Sequence, residues 1–64
     1  MENYIYPILI EREMTQAQLA ELVGVKREYL NRIISGKITP RMPLGLRIAR
    51  ALELPVESCF SLMN

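Results

Sequence analysis

The chain has 64 residues, of which 50% are hydrophobic and 23% charged, and its net charge is +1. That length makes one domain with one small core, and that hydrophobic share excludes a disordered tail. With no histidine and a single cysteine, Cys59, neither an internal disulfide nor a structural zinc site supplements the core.

A core of this size supplies about 3–5 kcal/mol, so tight helix packing, helped by a dimer, is expected. The apolar run "YIYPILI" at 4–10 is far shorter than the roughly 20 residues that span a bilayer. It is preceded by an acidic "MEN" and followed at once by Glu11, Arg12 and Glu13, which is not the form of a signal peptide. A cytoplasmic protein with a reduced thiol follows, with no membrane partner. No nucleophile–base pair, phosphate loop or metal cluster is present, so an enzyme is not expected and no cofactor is implied.

The net charge conceals a gradient. Residues 26–50 carry Lys26, Arg27, Arg32, Lys37, Arg41, Arg47 and Arg50 against Glu28 alone, while residues 1–25 and 51–64 are each net acidic. A basic centre between acidic ends points to a polyanion-binding face, or else to an ordinary solvated surface.

In chain order, a first element spans about residues 4–12. Ile5, Ile8 and Leu9 share a helical face provided Pro7 lies in the first turn; the β-branched content also suits a short strand. A second helix starts at Thr15, an N-cap with Gln18 three residues on as a capping box. Leu19, Leu22 and Val23 form its inner face, and Gly24 ends it. A third runs over about 26–34, with Leu30, Ile33 and Ile34 inward and Arg27, Glu28, Asn31 and Arg32 outward; Gly36 stops it. A fourth begins between Thr39 and Pro43 and carries Leu44, Ile48, Ala49 and Leu52 at core spacing. A fifth starts near Pro55, with Val56 and Phe60 as anchors one turn apart.

Two helices of about eight residues joined at a glycine corner fit a helix-turn-helix over about residues 15–34. Ala20 is small where the helices approach, Gly24 turns the chain and Val25 plugs the corner. "KRE" at 26–28 then lies at the N-terminal end of the second helix, the end that meets base edges in this motif.

The segments "MTQAQLAELVGV", "NRI", "SGK", Pro40 and "LRIARALELPVESCF" resemble the lambda-repressor-like, Cro-type helix-turn-helix family over about residues 8–62. The resemblance implies an all-α fold, a compact five-helix bundle filling 1–64 as a single domain, with helices two and three reading DNA. There are departures. The family often places an arginine in helix one and a glutamate at the end of helix three as a buried ion pair; here those positions are Leu9 and Ile34, so both partners are replaced together, a change that is often neutral or stabilising. Lys26 stands where a serine or threonine usually precedes helix three, Glu13 where a glycine usually separates helices one and two, and Pro43 at a normal position of helix four.

Carried over position by position, the resemblance implies base contacts by Arg27, Glu28 and Arg32, with Asn31 beside them. Arginine can bind guanine O6 and N7 with two hydrogen bonds. Glu28 either accepts from a cytosine amine or only orients Arg32 one turn on; Asn31 either reads adenine or simply faces solvent. Gln16 matches a phosphate-contacting residue at the start of helix two, where free amides favour an anion, or is surface filler. Lys26, Tyr29, Ser35, Lys37 and Arg41 fit phosphate contact too, although Tyr29 could instead pack over helices one and two. Arg47 and Arg50 serve solubility or a subunit contact. Tyr4, Tyr6, Leu62 and Met63 leave excess apolar area, with Leu62 and Met63 either a dimer seam or a frayed tail. Cys59 reads as a small buried hydrophobe.

The expected function is a sequence-specific regulator of double-stranded DNA, a repressor binding a two-fold operator as a homodimer, because one recognition helix reads few base pairs. The resemblance also implies a bacterial or phage-encoded protein. The alternative is an antitoxin-like module binding a protein partner on the same fold.

Overall fold

The computed structural model describes residues 2–61. Five helices follow one another: α1 (Ile5–Glu11), α2 (Gln16–Val23), α3 (Arg27–Ile34), α4 (Met42–Ala51) and α5 (Val56–Cys59). The fold of the described residues is all-α, with five helices, as expected from the sequence. The first element is a helix rather than a strand, with Pro7 in its first turn, where the missing amide hydrogen costs nothing.

Local chemistry sets the helix ends. The Gln18 amide donates to Thr15 Oγ1 at 3.0 Å, and the Thr15 amide donates to Gln18 Oε1 at 2.8 Å, a complete capping box. Gly24 closes α2 in the left-handed region, and the amides of Gly24 and Val25 both donate to the Ala20 carbonyl. Two glutamates adopt the same unusual backbone: Glu13 at φ 54° and Glu53 at φ 58°. Glu13 thus keeps the left-handed turn for which the family uses glycine, and the Met14 amide reaches the Leu9 carbonyl at 2.9 Å.

α2 packs on α3 and on α4, and α4 packs on α5. The core gathers Ile5, Leu9, Leu19, Ala20, Val23, Leu30, Ile33, Leu44, Ile48, Ala49, Leu52, Cys59 and Phe60. Leu9 is buried and Ile34 packs half-buried against this core, so apolar side chains occupy both positions where the family places an ion pair.

Leu22 departs from expectation. Its spacing places it on the inner face of α2, yet it is 63% exposed. Helical periodicity fixes which residues share a face but not how wide an arc the neighbours cover, and Leu22 lies beyond the arc that α3 and α4 close. The fifth element differs as well. α5 is a single turn, and Phe60 follows it in extended backbone, where it forms an isolated antiparallel bridge with Asn3. The Tyr4 amide donates to the Cys59 carbonyl and the Ser61 amide to the Glu2 carbonyl. The two ends of the described chain are therefore stitched together. Leu62 and Met63 lie outside the described residues.

Candidate nucleic-acid interface

α3 buries Leu30 and Ile33 and turns Arg27, Glu28, Asn31 and Arg32 to solvent. The burial follows from the spacing, because residues three apart fall on one side of a helix. The four residues expected to contact bases therefore share one exposed surface. Of the residues expected to contact phosphate, Lys26, Tyr29, Ser35, Lys37 and Arg41 are exposed and Gln16 is half-buried. Tyr29 projects from α3 with 38% of its surface exposed.

The electrostatics of α3 are informative. Glu28 in the first turn and Arg32 in the last complement the helix dipole. Lys26 at the N-cap and Arg27 at the first position do the reverse, placing cations against the positive end. Lys26 offers no side-chain cap to the free amides. Neither choice favours an isolated α3; both favour an anion brought to its N-terminal end. No ion pair joins Glu28 to Arg32 among the described residues, so Glu28 does not hold the Arg32 guanidinium there.

Two of the expected residues meet directly. Asn31 Nδ2 donates to Gln16 Oε1 at 3.2 Å, tying the start of α2 to the middle of α3. That bond turns the Gln16 amide so that its own N–H groups stay available for a phosphate. It engages one hydrogen of the Asn31 amide and leaves its second N–H and its Oδ1 unengaged by that bond. Ser35 is partly committed as well: its hydroxyl donates to the Arg32 carbonyl at 3.2 Å, and phosphate contact requires that bond to be exchanged.

Asn3 lies beneath the site, and its sequence position before the first helix gives no sign of a bond to α3. Asn3 Nδ2 donates to the carbonyls of Ile33 and Ile34 at 3.0 and 3.1 Å, while its Oδ1 accepts from the Ile5 amide at 3.1 Å. A single side chain caps the start of α1 and the end of α3.

A helix-turn-helix family model matches residues 8–58, which include all of α2 and α3 and the corner between them. The chain belongs to the Cro/C1-type helix-turn-helix family of transcriptional regulators. Among its relatives are two proteins of Archaeoglobus fulgidus, each described as an uncharacterized HTH-type transcriptional regulator. Each is 40% identical over 47 residues, 73% of this chain, and the match spans 66% of one relative and 67% of the other. No described helix is long and apolar enough to cross a membrane.

Proposed function

We propose that this helix-turn-helix protein is a sequence-specific regulator of double-stranded DNA, acting in the cytoplasm as a homodimer on a two-fold operator. The observation that carries this reading is the exposed face of α3, where Arg27 and Arg32 form no ion pair among the described residues. α3 enters the major groove by its N-terminal end. Arg27 and Arg32 donate to guanine O6 and N7, and Glu28 accepts from a cytosine amine beside them. Gln16, held by Asn31, and the cations Lys26, Lys37 and Arg41 fix the register on phosphates, with Tyr29 and Ser35 at the rim.

One such helix contacts too few base pairs for specificity, so two copies are required, with recognition helices about 34 Å apart. The Cα extents of 28 × 21 × 19 Å, widened by side chains, let two copies at that spacing touch. Bound across a promoter, such a pair represses by occlusion.

The test is a gel shift on DNA from upstream of the protein's own gene, repeated over a salt series. The expected result is preference over random DNA together with steep weakening as salt rises. Equal affinity for random DNA would remove the claim of specificity. No shift on any duplex at low salt would remove the claim of DNA binding.

A further inference from the structure

Leu22 is the most exposed large hydrophobic side chain among the described residues, and its surroundings are unequal on its two sides. It stands between two shallow grooves. One is bordered by Glu13 and Glu21, with Arg12 beside them, and so carries one net negative charge. The other is bordered by Arg47 and Arg50 over the small apolar Ala51. None of these charged groups forms an ion pair among the described residues.

We infer that the Leu22 surface is where two copies of this chain meet, the Glu13–Glu21 flank of one against the Arg47–Arg50 flank of the other. An apolar centre with opposite charges on its two sides is self-complementary under a two-fold rotation: each copy brings its acidic flank to the other's basic flank, and the two Leu22 side chains meet near the axis. An acidic peptide or a nucleic acid would suit the arginine side but be repelled by the glutamates. A basic segment would meet the opposite difficulty. A second copy satisfies both flanks at once.

The position also suits the assembly. Leu22 lies in the last turn of α2, about 9 Å along the helix axis from Gln16, so its use does not compete with the DNA contacts of the helix start. The inference rests on the two-copy reading above and assigns its surface. The patch is small beside a standard interface of about 800 Å² per partner, so the free dimer is weak and forms most readily when DNA holds two copies side by side.

The experiment is analytical ultracentrifugation of the chain without DNA, over concentration and salt, with circular dichroism to verify that each variant is folded. Wild type self-associates reversibly up to about 1 mM protein, and high salt weakens the association. Leu22→Glu weakens it at least about tenfold, a change of about 1.4 kcal/mol. A charge-reversed pair keeps the test independent of that substitution. Glu13→Lys with Glu21→Lys in one chain, or Arg47→Glu with Arg50→Glu in another, abolishes self-association of each alone, and mixing the two restores a heterodimer.

Failure of the mixture to associate overturns the inference. If Leu22→Glu dimerises like wild type, this surface is wrong while the two-copy reading stands. If wild type is monomeric at all concentrations but two copies still bind one operator independently of Leu22, the inference again fails alone. A single copy on DNA together with a monomer in solution overturns both.

Discussion

Asn3 concentrates three backbone hydrogen bonds in one small amide, and it does so 30 residues away in sequence from the helix end it holds. Removing it leaves two α3 carbonyls and the first amide of α1 without that partner. Asn3→Ala should therefore destabilise by about 1–3 kcal/mol. Asn3→Asp should recover only part of this, because a carboxylate can still cap Ile5 but cannot donate to Ile33 and Ile34. Thermal melts of the three proteins check the order. The recognition residues behave differently, since they are exposed and contribute little to the fold. Arg27→Ala and Arg32→Ala should each cost about 1–3 kcal/mol in DNA affinity and relax specificity at one base position, with melting almost unchanged. Binding to a panel of single-base operator variants reads this out; two variants that bind the cognate site like wild type would show that the reading face is misplaced.

The elements differ in how well their own sequences support them. α2 has a complete capping box and a glycine end, so it is specified locally. α3 has no side-chain cap and two cations at its N-terminal end; it is held by Leu30 and Ile33 in the core and by Asn3 at its far end. α4 carries Pro43 in its first turn and the buried Gly45 two residues later. A methyl group built at Gly45 would lie 3.7 Å from Phe60 Cε2, an ordinary packing distance. Because Gly45 is helical and space is available, Gly45→Ala should stabilise the protein by about 0.5–1 kcal/mol. A lowered denaturation midpoint would mean that the Phe60 ring cannot yield even slightly. The left-handed glutamates run the other way: Glu13 and Glu53 hold turns that glycine would hold with less strain.

Across the described residues, one small core and the bonds between residues 2–4 and 59–61 support both the recognition face and the Leu22 surface. Cys59 lies in that core. Burial pushes its thiol above the ordinary range, and the positive charge of Arg12 offsets this in part. The folded protein therefore holds the thiol proton to higher pH than the unfolded chain does. The stability this contributes is intact below the unfolded thiol value of about 8.5 and falls as pH rises above it. Denaturation midpoints at neutral and alkaline pH should diverge more for wild type than for Cys59→Ala. Equal slopes would show that the thiol does not ionise on unfolding. The charge gradient also acts at this scale, since the basic stretch of residues 26–50 supplies both the recognition face on α3 and the Arg47–Arg50 flank on α4. A count of charges along the chain does not separate these two surfaces, which lie on different helices.

Sequence alone determined what depends on neighbours a few residues apart: the Thr15–Gln18 cap, the corner at Gly24, the inward Leu30 and Ile33, and the outward run of Arg27, Glu28, Asn31 and Arg32. Such features are read from helical spacing and from the chemistry of helix ends, both of which are local. Tertiary structure alone decided the rest. It placed Leu22 outside the arc that α3 and α4 cover, bonded Asn31 to Gln16, set Asn3 against the end of α3, and paired Phe60 with Asn3 instead of extending α5. Each of these joins residues distant in sequence, or sets the limit of what a neighbouring helix covers. Periodicity along one helix carries no information about where another helix stops.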